Sequence, residues 1–279
     1  MKKLGIAAIA ALMGLPAFAA DMPYKAPPPP PPPLCIWCGF YVGVNAAYGW
    51  GNRSVAFTPN DPLSTILFNT LNGAPPPLSF GTSGGAGGLQ LGYNWQVDRS
   101  WVLGVEADID ASNVKGSGSS TSVNTFGIPF SETLNERITS FGTVRGRLGY
   151  LPTDNLLVYL TGGFAYGRVA NTGSYVPSGG FNAVDNADKL SYVCTAGSPC
   201  FAGSSTKGGS GLTLGGGLEY ALVRNVSLKA EYLYVNLGSR SVTQTAVVVI
   251  PAFPGPASFN SNFSQTTLNV VRVGVNYHF

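Results

Sequence analysis

Val271-Arg272-Val273-Gly274-Val275-Asn276-Tyr277-His278-Phe279 alternates large apolar residues with small or polar ones to its last position. A period of two puts Val271, Val273, Val275, Tyr277 and Phe279 on one face of a strand, and Arg272, Gly274, Asn276 and His278 on the other. Seven more stretches follow the rule. Phe40 to Trp50 sets Val42, Val44, Ala46 and Tyr48 against Tyr41, Gly43, Asn45 and Gly49. Leu89, Leu91, Tyr93 and Trp95 alternate with Gln90, Gly92 and Asn94. Trp101, Leu103, Val105, Ala107 and Ile109 alternate with Gly104, Glu106, Asp108 and Asp110. Ile138, Val144, Leu148 and Tyr150 stand opposite Thr139, Thr143, Arg145 and Arg147. Leu156 to Tyr166, Leu212 to Leu222 and Val226 to Tyr234 complete a count of eight, with Glu219, Lys229 and Glu231 on the polar faces of the last two. No stretch after Gly39 holds a helical period.

The connections alternate in length. Asp98–Ser100, Leu151–Asn155 and Val223–Asn225 are tight, whereas Gly51–Gly81, Ser112–Glu136, Asn171–Gly209 and Gly238–Ser264 are long and rich in Ser, Gly, Asn and Pro. Loops of that length are foreign to compact soluble domains. Short turns at one end and long loops at the other are the plan of an outer-membrane barrel. The predicted fold is an all-β, eight-stranded antiparallel transmembrane up-and-down β-barrel with short periplasmic turns and four long extracellular loops.

Composition fits that plan. Only 10% of the 279 residues are charged, with 37 glycines and 21 prolines, a balance that disfavours a helix-rich soluble enzyme. The polar faces carry Glu106, Asp108, Asp110, Arg145, Arg147, Glu219, Lys229, Glu231 and Arg272, both signs in near balance. They suit a narrow lumen in which charges pair, and the apolar faces suit lipid. Aromatics at Tyr48, Trp50, Trp95, Trp101, Tyr150 and Phe279 lie where interfacial girdles form.

Met1-Lys2-Lys3, the apolar run Leu4 to Leu15 and Ala17-Phe18-Ala19 read as a secretory signal cleaved before Ala20. Its removal leaves 14 basic and 13 acidic residues, and without a basic run no nucleic-acid partner is expected. The predicted division is a signal peptide over 1–19, a periplasmic segment over 20–38 and the barrel over 39–279. Seven prolines, Pro27 to Pro33, make the middle segment a stiff polyproline II spacer rather than a docking site.

The last strand resembles the C-terminal signal of bacterial outer-membrane barrels, which implies that Val271, Val273, Val275, Tyr277 and Phe279 are read by the barrel-assembly machinery. Gly39-Phe40-Tyr41-Val42-Gly43, Leu103-Gly104-Val105-Glu106-Ala107-Asp108, Val144-Arg145-Gly146-Arg147-Leu148-Gly149-Tyr150 and Thr161-Gly162-Gly163-Phe164-Ala165-Tyr166-Gly167 resemble the alphaproteobacterial outer-membrane immunogenic protein family (RopB-like, often labelled porin family). The resemblance covers most of 39–279. It implies an eight-stranded barrel embedded in outer-membrane lipid of a Gram-negative cell and implies no catalytic activity. The heptaproline and Cys35-Ile36-Trp37-Cys38 depart from the pattern.

His278 is the only histidine, so no histidine-dependent triad or histidine-rich metal site can be built, and no cofactor is expected. Arg145 and Arg147 should neutralise Glu106, Asp108 and Asp110, which favours ion pairing over acid–base catalysis. Cys35 and Cys38 fall on the periplasmic side, Cys194 and Cys200 in the third long loop, so only Cys35–Cys38 and Cys194–Cys200 can pair. Structural bridges or partly reduced thiols are the expected states, with a redox role for Cys35 and Cys38 as the sharper alternative. Across the Val223–Asn225 turn the count sets Leu222 opposite Val226 and Glu219 opposite Lys229. With Trp101 and Tyr150 level, it sets Glu106 opposite Arg145.

Eight strands leave an interior that side chains fill. The expected protein is therefore structural, with loops for adhesion, recognition or immune contact. A narrow small-solute or ion channel is the alternative, and a soluble ligand-binding barrel conflicts with the inward charge. No cell-wall or host-surface partner can be named from these residues.

Overall fold

The computed structural model describes residues 35–279; the expected signal peptide and the heptaproline lie outside them. In chain order the elements are β1 (Gly39–Pro59), α1 (Pro62–Asn69), β2 (Leu78–Gln96), β3 (Trp101–Val123), β4 (Pro129–Thr153), β5 (Leu156–Pro177), β6 (Phe181–Asp185) and β7 (Leu190–Cys194). They continue with β8 (Phe201–Val223), β9 (Val226–Asn236), β10 (Arg240–Ala246), β11 (Gly255–Pro256), β12 (Ser258–Phe263) and β13 (Thr267–His278). The membrane wall is β1-β2-β3-β4-β5-β8-β9-β13, each strand antiparallel to the next. It closes on itself: Val42 pairs with Leu91 on one side and Tyr277 on the other. Closure leaves no unpaired edge in the hydrocarbon.

The large apolar residues of the wall face outward. Phe40, Leu160 and Leu212 are 63%, 70% and 72% exposed, far too much for a water-facing surface of this composition and fitting for lipid. The turns at the periplasmic end are tight. Asp98 closes one by accepting hydrogen bonds from the amides of Ser100 and Trp101 at 2.7 and 2.8 Å. At the β8–β9 turn a bulge sets Val223, rather than Leu222, opposite Val226.

The long connections are not structureless. β3, β4, β5 and β8 run for 22 to 25 residues, roughly 70–80 Å of strand, where a membrane crossing needs about 10 residues. Beyond the lipid zone the alternation persists with its polarity reversed. On β4, Phe130, Leu134 and Ile138 are buried inside, while Thr133, Asn135 and Arg137 face out. Ile138 was expected on the lipid face. A bulge between Ile138 and Ser140 changes the phase of the strand and turns Ile138 inward.

This water-exposed head keeps the wall closed after β9 and β13 stop. β12 pairs with β1, Val55 opposite Phe263, and β10 bridges β12 to β8. The summit holds α1, which sequence periodicity missed because eight residues are too few to show one. Its start is nonetheless written in the chain: Asp61 accepts a 2.7 Å hydrogen bond from the Ser64 amide, and Pro62 opens the first turn. Leu63, Leu67 and Phe68 of α1 pack on Phe130, Tyr175, Tyr192, Phe201 and Phe259, beside the Cys194–Cys200 bridge.

One buried carboxyl sits in the head without a cation. Glu132, on the part of β4 above the membrane and opposite Tyr175, is fully buried and accepts a 2.5 Å hydrogen bond from Gln244 Nε2. Burial pushes its carboxyl up to about 8, against the opposing effect of Gln244. The folded head therefore holds a proton that the unfolded chain releases near pH 4.5. This contribution to stability is complete below pH 4.5 and is lost as pH rises through about 8. Raising the pH from 5 to 9 is expected to weaken the head by on the order of 4 kcal/mol, and Glu132→Gln to flatten that dependence, as read by hydrogen exchange of head amides. A variant with the wild-type pH profile would contradict the assignment.

Candidate functional site

Inside the membrane-spanning part of the wall, alternation delivers polar side chains from all eight strands into one space. Glu106 of β3 is the hub. Arg145, directly opposite on β4, donates to its Oε1. Lys229 Nζ of β9 lies 2.6 Å from the same oxygen, and Arg272 Nη2 of β13 donates to it at 3.2 Å. Tyr41 of β1 donates to Oε2 at 2.6 Å, and Arg147 Nη1 stands 3.6 Å from Oε2. All these side chains are at most 4% exposed.

The remaining carboxylates are shared in the same way. Asp108 receives Arg145 at 3.0 Å, Arg272 at 3.1 Å and the Thr143 hydroxyl at 2.6 Å. Glu231 receives Arg272 Nε at 2.5 Å, Arg145 at 2.9 Å and Tyr159 of β5 at 3.0 Å. Glu219 of β8 faces Lys229 across the ladder, yet the two form no ion pair; Lys229 reaches across the lumen to Glu106 instead. Glu219 takes Arg147 Nη2 at 2.7 Å, Asn276 at 2.7 Å and Ser227 at 2.5 Å, with His278 Nε2 3.3 Å away. Asp110 stands at the upper margin, 3.6 Å from Arg272 Nη1. Gln90 of β2 completes the set, donating to Asn276 at 2.5 Å.

Small residues make the room. A Cβ on Gly92 would overlap the Tyr41 ring, so that ring can cross β2 only because position 92 has no side chain.

Apolar layers bound the charged one. Below it, Trp37 is buried against Val102, Leu151, Leu157, Tyr159 and Ala221, and its Nε1 donates to the Asp154 carbonyl at 2.9 Å. The Cys35–Cys38 bridge closes the short loop that carries this tryptophan. Above the charged layer, Val114, Ile138, Phe141, Val169, Leu268 and Val270 meet across the lumen. Cys194 and Cys200 are bridged at the opposite, extracellular end.

Strand alternation puts Tyr41, Gln90 and Tyr159 on the polar faces, but only the charged residues there stand out as a site, and Trp37 is not singled out. The first three lie on the same polar faces and could have been found by following those faces through their uncharged positions. Trp37 precedes the first strand, and only its place between two cysteines sets it apart. Among the described residues, no group of three His, Cys, Asp or Glu side chains is arranged to hold a metal ion. Chemically, the arrangement is an ionic cross-link: four cations interleave five carboxylates, and most carboxylate oxygens already hold a donor.

Removing the hub should therefore cost more than removing a pair. Glu106→Ala, which strands Lys229 and parts of Arg145 and Arg272, is expected to destabilise the barrel by about 3–5 kcal/mol. Adding Lys229→Met to it should recover part of that loss, a coupling readable by urea unfolding in lipid across the double-mutant cycle. Additive effects would show that the lumen is wet enough to screen these charges.

Comparison with known proteins agrees with this architecture. Residues 6–279 match the family model described as outer membrane protein beta-barrel domain. Over 284 aligned residues, covering all of both chains, the sequence is 36% identical to the 31 kDa outer-membrane immunogenic proteins of Brucella melitensis biotype 1 and Brucella suis biovar 1. Among solved structures it is similar to the outer membrane protein OprG of Pseudomonas aeruginosa, with a TM-score of 0.48, 12% identity and coverage of 87% of this chain and 96% of that one. A closed antiparallel wall with an apolar exterior, matched along nearly its whole length, leaves one conclusion: the chain belongs to the outer-membrane β-barrel family and is located in the outer membrane.

Proposed function

We propose that the protein is a non-catalytic structural component of the outer membrane that contributes to envelope integrity and presents its head for adhesion, recognition or immune contact. In this reading residues 1–19 are a cleaved signal peptide, 20–38 a periplasmic segment and 39–279 the barrel. The observation that carries the proposal is the filling of the interior at successive levels, from Trp37 through the Glu106 network to Phe141 and Ile138. A solute passing through would have to displace a buried indole, strip partners from several charges and part an apolar layer. The carboxylates serve as ion-pair partners in this reading, and the lumen holds no substrate. The purified protein in a planar bilayer is expected to give no resolved unit-conductance steps; stable open-channel currents would favour the narrow-channel alternative and overturn the proposal.

The outward row of β13 supports a second role during biogenesis. Val271, Val273, Val275, Tyr277 and Phe279 are all exposed, with the last two rings 5.2 Å apart, edge to face. We infer that this row is what the barrel-assembly machinery reads. Phe279→Ser is expected to lower the amount of heat-modifiable barrel in the outer membrane while export continues. Wild-type amounts of folded protein would refute that role.

A further inference from the structure

Outside the barrel, one feature is unexplained by folding. Lys115 on β3 and Arg137 on β4 are directly opposed, and both are exposed. Like charges facing each other across a ladder repel and destabilise it. Arg168 on β5 is also exposed and stands diagonally from Arg137, whose direct partner is Ala170.

No carboxylate offsets them. Every ion pair among the described residues is buried, in the lumen or within the head. Glu132 and Glu136, the acids at this level of β4, are buried within the head. A merely solvated face would scatter both signs around the wall. Here the opposite side of the barrel presents Asn52, Ser54, Ser241, Thr243, Asn262 and Ser264.

The height of the group is informative. Arg168 is the next outward position after Tyr166 on β5, and Lys115 pairs with Ser83, the partner of Trp50. Lys115 and Arg168 therefore stand next to the aromatic positions Trp50 and Tyr166, where lipid tails give way to headgroups. Three long cations on neighbouring strands, none of them in an ion pair, fit a multiply charged phosphate group.

We propose that Lys115, Arg137 and Arg168 form a binding site for the phosphate-bearing headgroup of an outer-leaflet glycolipid. The bound phosphate removes the repulsion between Lys115 and Arg137 and holds one lipid at a fixed place on the β3–β5 side.

The test uses the folded full-length barrel in detergent micelles, titrated with bisphosphorylated lipid A and with the same lipid after phosphatase treatment, followed by native mass spectrometry and heat-modifiable mobility. The wild type is expected to retain the phosphorylated lipid at least about tenfold better. The combined Lys115→Ser, Arg137→Ser, Arg168→Ser variant should bind both lipids alike, and Arg137→Lys should keep the preference. Arg137→Glu should abolish the preference yet raise the lipid-free unfolding temperature, because it turns a repelling pair into an attracting one. Equal retention of both lipids by the wild type, or an undiminished preference in the triple variant, overturns the proposal. So does full displacement of the lipid by inorganic phosphate or by a soluble sulfated polysaccharide, either of which would assign the cations to a soluble anion.

Discussion

A charge taken out of water must be met by another, and this barrel takes nine lumen charges out of water together. Glu106 alone is contacted by Arg145, Lys229, Arg272 and, at longer range, Arg147. With Tyr41, Gln90 and Tyr159 added, the network draws on every strand of the membrane wall. Slipping any strand by one residue would turn its polar member, charged on β3, β4, β8, β9 and β13, toward lipid and strand its partners inside. The network thus specifies the register of the whole cylinder as well as filling it.

The surroundings of the wall decide what it encloses. Where lipid lies outside, large apolar residues must face out, and the inward positions are left to charge, amide and glycine. Above the membrane water lies outside, so Thr133, Asn135 and Arg137 face out and Phe130, Leu134 and Ile138 fill the inside. Charge enters that upper interior only as a pair: Arg53 Nε and Glu136 Oε1, 2.6 Å apart and fully buried, lie within the head.

Strand alternation between Gly39 and Phe279 discloses the barrel because a lipid face demands large residues at every second position. It discloses the head poorly. Lys115 to Val123 is almost wholly Gly, Ser and Thr, a run without contrast between faces, and its strand character comes from pairing with β4. Phe130 to Ile138 does alternate, but with water outside, so a search for outward apolar rows passes over it. The charged lumen residues were legible as a set, and the Glu106–Arg145 opposition followed from counting along strands. The partners were less so: Lys229 is long enough to ignore Glu219 opposite and reach Glu106, a choice made in three dimensions across the lumen.

β3, β4, β5 and β8 pass from lipid into water without a break, and the head is built from the same ladders that cross the bilayer. The β4 bulge between Ile138 and Ser140 shifts the phase of that strand without ending it. A pull on the summit therefore loads the same hydrogen-bonded ribbons that hold the charged layer below. α1 and the β6–β7 hairpin are thus carried on strands rooted in the membrane wall.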